Sequence, residues 1–358
     1  DKVVYHHVKE LEFNGHNVDI ATLDYDIESS HFTPEYENIF HHSCEDKSAK
    51  SILRNRTLFF EKTKKNFLEN KYDVVHCHDW FLSNFAFEIK KHQSSVKLVS
   101  YIHSCKYSEY SGVLNEARKN IHLEQKDLCK FSDIVICHSK FMRKTLQKSL
   151  NIPSCKIVYI PCGIDSFEEI ERDKELNDFV IYYMGRLSNE KRVEDLIKAF
   201  NGLKWGDKAK LLIRGDGPLR QSLQSISFAK GVNNIEFLGW ESNVNVLKSE
   251  LLEASVCVLP SSYEPFGLTA IESISAGIPL VTSGVGGISE IVPDERYAYK
   301  YNVGNVNELR VNLTDVYQNY RKALDKTKFA QNYLLDHYSW ELAVKKLLNV
   351  IGEIEVDE

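Results

Sequence analysis

The stretch Val256-Cys-Val-Leu-Pro-Ser-Ser-Tyr-Glu-Pro-Phe-Gly-Leu-Thr-Ala-Ile-Glu272 decides the fold. Its first four residues are apolar without alternation, the pattern of a parallel strand covered on both faces. Pro260-Ser-Ser-Tyr263 breaks the run. Gly267 then opens a helix over residues 268–276, which Gly277 stops. A glycine at a helix N-terminus leaves N–H groups free to hold a phosphate. Glu264 lies in the turn, and Glu272 stands about one and a half turns in from Gly267. Two carboxylates can therefore bracket one ligand.

Working outward, the same strand-then-helix alternation fills the chain. Residues 18–23, 72–77, 96–102, 134–137 and 157–160 read as buried strands, and so do 179–184, 211–213, 235–238 and 279–282. Helical stretches lie between them; Val193, Leu196, Ile197 and Phe200 form one apolar stripe. This alternation predicts an α/β chain with doubly wound parallel sheets. About ten strands exceed one comfortable sheet, so two domains are expected. The break is placed near Pro161-Cys-Gly-Ile-Asp165, followed by the acidic stretch Ser166–Asp178 as a linker. A second chemical signal, Met184-Gly-Arg-Leu-Ser-Asn-Glu-Lys-Arg192, also follows a strand and precedes a helix. Its Arg186 and Lys191 suit a diphosphate leaving group.

Bulk composition narrows the classes. The 358 residues are 43% hydrophobic and 27% charged, an ordinary soluble balance. The net charge of −6 argues against a nucleic-acid binder. No apolar run is long enough to span a bilayer and no secretory signal opens the sequence, so a cytoplasmic protein is expected. The eight cysteines form no C-x-x-C pair and read as buried reduced thiols rather than a zinc site. The sequence starts on a helix in which Val4, Val8 and Leu11 share a face and Asn14-Gly15 follow. A Rossmann half ordinarily begins with a strand in mid-sheet, so one strand and one loop are expected to be missing ahead of Asp1.

The motifs resemble those of the retaining glycosyltransferases of the family four type, with the architecture called GT-B. Glycogen synthases, sucrose-phosphate synthases and phosphatidylinositol mannosyltransferases are members. Paired glutamates with seven residues between them match Glu264 and Glu272; a Gly-Arg…Lys motif matches Gly185, Arg186 and Lys191. Supporting matches run in order along the chain: Gly15-His16, Val75-His-Cys-His-Asp-Trp80, His103, Cys137-His-Ser139, Ile160-Pro-Cys-Gly-Ile-Asp165, Gly215-Asp-Gly-Pro218, Phe237-Leu-Gly239 and Tyr338-Ser-Trp340.

The resemblance implies two Rossmann-like domains facing across a cleft, an N-terminal acceptor-side domain at 1–163 joined by the last helix at 338–358, and a donor-binding domain at 164–337. It implies transfer of a sugar from a nucleoside diphosphate sugar, most commonly a UDP-sugar, to a carbohydrate, glycan or lipid-linked acceptor. Arg186 and Lys191 would neutralise the diphosphate, Glu272 would bind the ribose, and Glu264 would hold the donor sugar. Phe266, Gly267, Leu268 and Thr269 would contact sugar and phosphate, and the stretch at Gly239 would meet the base through backbone atoms. His103 would sit near the transferred sugar, and His78 and Asp79 would shape the acceptor side. Two cations can replace a metal, so no metal or other cofactor is expected.

Each residue also has a plainer reading. Glu264 and Glu272 can be surface carboxylates, Arg186 and Lys191 a solvated cap, and His103 a hydrogen-bonded strand end. His78 and Asp79 can form a purely structural turn. The basic, aromatic segment Phe59–Leu68 reads as an ordinary amphipathic helix, or as a peripheral membrane contact if the acceptor is lipid-linked. Two other functions fit the fold: a nucleotide-sugar epimerase, and a non-catalytic partner subunit. After His103 the run Ser104-Cys-Lys-Tyr-Ser-Glu-Tyr-Ser-Gly112 departs from the run usual in glycogen synthases, and the acceptor stays open.

Overall fold

The computed structural model describes residues 2–24, 39–43, 49–164, 178–203, 205, 208–228 and 234–355. The chain divides into two compact units, Asp1–Cys162 with Trp340–Glu358, and Gly163–Ser339. The expected linker at 166–178 falls almost wholly outside the described residues.

In the first unit, β1 (Ile20–Asp24) and β2 (Ile39–Ser43) form a parallel pair, and β3 (Val74–His78), β4 (Lys97–Tyr101), β5 (Ile134–Cys137) and β6 (Ile157–Tyr159) form a four-stranded parallel sheet in that order. Leu98, Val99, Val135 and Ile136 are fully buried, which explains why these runs show no polar alternation. The helix Lys140–Leu150 covers part of the sheet through Met142, Leu146 and Leu150. Ser139 caps it by accepting from the Met142 N–H at 2.9 Å, and Asn151 ends it in the left-handed region. The first helix, Lys2–Phe13, buries Val3, His7, Val8 and Leu11. The expected face is therefore rotated: Val4 is only half-buried, and a histidine sits inward. This helix packs on the last one, Trp340–Glu355, where His6 stacks on Trp340 at 4.2 Å.

The second unit is one parallel sheet of β7 (Phe179–Met184), β8 (Ala209–Arg214), β9 (Ile235–Gly239), β10 (Val256–Leu259), β11 (Leu280–Thr282) and β12 (Tyr299–Lys300). Its order is β12-β11-β10-β7-β8-β9. The chain moves from β7 through β8 to β9, then crosses back so that β10 pairs on the other side of β7. The gap between β7 and β10 is thus a topological switch point, where loops leave the strand ends in opposite directions and open a crevice. The predicted stripe is buried as read: Val193, Leu196, Ile197 and Phe200 pack on Phe179, Ile181, Leu211 and Ile213. Each such side chain contributes about 1.5–3 kcal/mol by leaving water.

Among the described residues, two strands lie beyond the ten expected. Residues 39–43 read Ile-Phe-His-His-Ser, too polar to stand out as a buried run, and β12 has only two residues. Cysteine burial holds for all described thiols except Cys155, which is exposed; Cys44 lies outside the described residues. Burial pushes the Cys77 and Cys257 thiols up to about 12. No helix among the described residues is long and apolar enough to cross a membrane. In the segment Phe59–Leu68, Phe59 and Phe67 pack into a core with Phe85, Ile89 and Val96, and Lys64 pairs with Glu61. Those aromatics serve the interior.

Candidate functional site

Both chemical motifs leave the switch point. The turn after β10 leads into the helix Leu268–Ser275, with Gly267 at its N-cap and no side chain capping it. Gly267 has φ +108, and a Cβ there would come within 2.6 Å of the Ile288 side chain, so glycine is required on both counts. Ala270 and Ile271 N–H donate to the Gly267 carbonyl at 3.0 and 3.2 Å, so the N–H groups of Gly267, Leu268 and Thr269 precede the first bond of the helix and carry its positive dipole end. A third loop, residues 283–287 after β11, braces this turn. Gly287 N–H donates to the Glu264 carbonyl at 2.8 Å. Gly286 has φ +61, and a Cβ on it would lie 2.1 Å from the same oxygen.

The loop after β7 is tied to the turn after β10 by its backbone. Ser262 N–H donates to the Glu190 carbonyl at 2.7 Å, and Ser188 Oγ donates to the Glu190 carboxylate. Tyr183 OH donates to the Arg186 carbonyl at 2.8 Å. These bonds bring Lys191 Nζ to 2.6 Å from Glu264 Oε2, with the two side chains only 20% and 14% exposed. Ser261 Oγ donates to that same carboxylate oxygen at 3.2 Å. A cation and a carboxylate thus meet beside an uncapped helix end. Arg186 is exposed on the same loop. Glu272 is half-buried in the second turn of the helix, Leu268 and Thr269 are half-buried, and Phe266 is buried. Gly239 closes β9, two strands from β7, and its carbonyl accepts from Gly215 N–H at 2.8 Å.

His78, Asp79 and His103 belong to the first unit, at the C-terminal ends of β3 and β4. His78 Nδ1 and His103 Nε2 share a hydrogen bond at 3.1 Å, so one ring donates and the other accepts. His103 N–H donates to Asp79 Oδ1 at 3.3 Å. Asp79 itself has φ +56 and donates its N–H to the Tyr101 carbonyl at 2.8 Å. The rings stack: His78 on Tyr101 at 4.1 Å, and His103 on His138 at 5.0 Å. His138 Nδ1 donates to the Ile160 carbonyl at 2.9 Å, which gives the Cys137-His-Ser139 motif a structural role.

Burial holds these imidazoles neutral. The pKa of His138 falls to about 3 and that of His76 to about 4, and His7 and His78 are also pushed well down, by burial first and by neighbouring histidines second. His103 is lowered by burial against the pull of Asp79. Burial raises Asp79. Among the described residues no group of three or more His, Cys, Asp or Glu is arranged to hold a metal ion. A stability consequence follows. The folded values lie below the ordinary value of 6.5, so the unfolded state binds more protons between them. The stability these rings confer is complete above pH 6.5 and is lost as pH falls towards 4 and then 3. Buried His138 alone should cost about 3 kcal/mol by pH 4. Asp79 works in the opposite direction, but one carboxylate opposes several rings. Calorimetry between pH 7 and pH 4 should show the melting of the first unit falling and that of the second holding more nearly constant; a first unit indifferent to pH would contradict the buried neutral rings.

Several residues of this site escaped the sequence reading. Glu190 and Ser262 carry the loop-to-loop bonds, and Ser188 and Ser261 brace each loop from within, yet serines and a glutamate in a loop look like solvated surface. Gly286-Gly287 left a trace as a glycine cluster after a strand, a signal of close backbone approach.

Comparison with known proteins gives the same picture. Residues 1–166 match the family model described as Glycosyltransferase Family 4, and residues 166–333 match Glycosyl transferases group 1. An uncharacterised glycosyltransferase of Methanocaldococcus jannaschii is 30% identical over 359 residues, covering 94% of this chain and 90% of that protein. A glycogen synthase of Mycobacterium tuberculosis is 29% identical over 274 residues, covering 75% and 66%. Among solved structures, sucrose-phosphate synthase from Thermosynechococcus elongatus has a TM-score of 0.82 at 19% identity, covering 99% of this chain and 93% of that one. HepE from Anabaena, in complex with UDP and glucose, has a TM-score of 0.71 at 16% identity, covering 88% and 86%. With the strand order, the switch-point loops and a relative matched along nearly its whole length, this chain belongs to the GT-B glycosyltransferases of the family four type.

Proposed function

We propose that the protein transfers a sugar from a UDP-sugar to a hydroxyl acceptor with retention of anomeric configuration and without a metal ion. The observation that carries this reading is the Lys191–Glu264 pair at 2.6 Å beside the uncapped start of the helix Leu268–Ser275. Lys191 is neutralised by Glu264 in this pair. A diphosphate at the helix end offers Lys191 a second anion and frees the Glu264 carboxylate to accept hydroxyl donors of the sugar. As the anomeric carbon parts from the phosphate oxygen, both bonding electrons stay on that oxygen. Arg186, Lys191 and the helix N–H groups meet the charge where it develops, which is where fixed dipoles act most strongly. The acceptor oxygen then bonds to the anomeric carbon on the face being vacated, and its proton passes to the leaving phosphate. Glu272 holds the ribose. UDP as the carrier is supported by the UDP bound in the similarly folded HepE. The acceptor is a carbohydrate, a glycan or a lipid-linked sugar.

The test is a screen of nucleotide sugars for acceptor-dependent release of the diphosphate. Activity should persist after treatment with a chelator, because side-chain cations and a helix end supply the positive charge. Loss on chelation with recovery on adding magnesium or manganese would overturn the metal-free part.

A further inference from the structure

Arg214 closes β8, is 7% exposed, and holds two parts of the second unit at once. Its own carbonyl accepts from Gly185 N–H at 3.0 Å, immediately before Arg186. Its guanidinium faces the other way. Nη1 donates to the carbonyls of Leu238 and Gly239 at 2.8 and 3.1 Å. Nε donates to Glu250 Oε2 at 2.9 Å, and Nη2 bonds the other oxygen of that carboxylate. Tyr182 OH donates to Glu250 Oε2 at 3.0 Å. The reason for a buried cation here lies in the ladder. Ile213 pairs with Phe237, but Arg214 pairs with Gly239, so the register slips at Leu238. A bulge turns a carbonyl out of the ladder, and a buried carbonyl needs another donor. One fork of Arg214 takes up the bulged carbonyl and the next one, and Glu250 fixes the plane of that fork.

We infer that Arg214, clamped by Glu250, is a positioning residue for the nucleotide base: it sets the Leu238–Gly239 turn against the Gly185 loop, so that backbone groups of the turn meet the base while Arg186 and Lys191 meet the diphosphate. This rests on the donor site proposed above. Removing the clamp frees the turn and leaves the cation loop and the helix end intact, so recognition of base and phosphate should separate.

The test uses the whole chain and isothermal titration with UDP, GDP, ADP and inorganic pyrophosphate. The variant is the triple change Tyr182→Phe, Arg214→Met and Glu250→Met, which leaves no buried charge unpaired. Arg214→Lys, which keeps the charge opposite Glu250 but loses the fork, serves as a milder companion and carries the test if the triple variant does not fold. The nucleoside diphosphate that the wild type binds best should lose about tenfold in affinity, as expected for about one or two backbone hydrogen bonds. Pyrophosphate binding should stay within about twofold, and turnover at saturating donor should change little. An equal fall for both ligands, or no fall for either, would overturn the inference. So would a wild type that binds pyrophosphate as tightly as every nucleotide. A wild type that binds none of the four would refute the donor site itself, before any variant is made.

Discussion

Lys191→Ala and Arg186→Ala are each expected to lower turnover by about 100–1,000-fold, the usual cost of removing one stabiliser of a developing anion. The two should differ in stability. Lys191 is shielded and paired with Glu264 at 2.6 Å, so its loss leaves a partly buried carboxylate without its cation. That costs roughly 1 kcal/mol or more, a fall of about 2–4 °C in melting for a unit of this size. Arg186 is exposed, so its loss should lower melting less than the loss of Lys191 does. Initial rates with the donor found by screening, paired with thermal melts, check both halves. Near-normal rates in both variants would mean that the diphosphate binds elsewhere.

The two glutamates should fail in different ways. Glu264 accepts from Lys191 and Ser261, and its backbone is braced by Gly287. The Ser261 bond and the backbone brace keep the carboxylate in place when a diphosphate draws Lys191 away, which suits alignment of a sugar that becomes oxocarbenium-like. Glu264→Gln should lower kcat by about 100-fold with a smaller change in donor KM. Glu272 stands further along the helix and is assigned to the ribose, which does not change charge during reaction. Glu272→Gln should raise donor KM about tenfold and leave kcat nearly intact, the signature of lost uniform binding. Glutamine keeps the shape and removes the charge, so packing is not a confounding loss. Steady-state kinetics at saturating acceptor reads the split; Glu272→Gln that abolished turnover at unchanged KM would exchange or refute the two roles.

Much of this site was legible because its parts are local. Gly267 opening a helix, Glu264 before it and Glu272 within it all lie in one stretch whose geometry follows from strand, turn and helix periods. The same holds for the strand runs, whose continuous apolar character reports burial on both faces. What was hidden depends on neighbours distant in sequence. Lys191 meets Glu264 across 73 residues, and Arg214 meets Glu250 and the β9 bulge only because β8 lies between β7 and β9. No local pattern marks an arginine at a strand end as the donor for a slipped carbonyl. The first helix was misread for a similar reason. Three apolar residues suggested its face, but the imidazole of His7 joins a set of rings from three strand ends, and that demand rotates the helix to bury Val3 instead of Val4.

The central claim is acceptor-dependent transfer with retention, and proton NMR of the reaction in progress tests it most directly. The donor is an α-linked nucleoside diphosphate sugar, and the anomeric signal of the first product formed is followed before any slow equilibration. The account predicts an α-linked product that appears together with free diphosphate, and only when acceptor is present. A β-linked first product, or a donor converted to its epimer without acceptor, would contradict it.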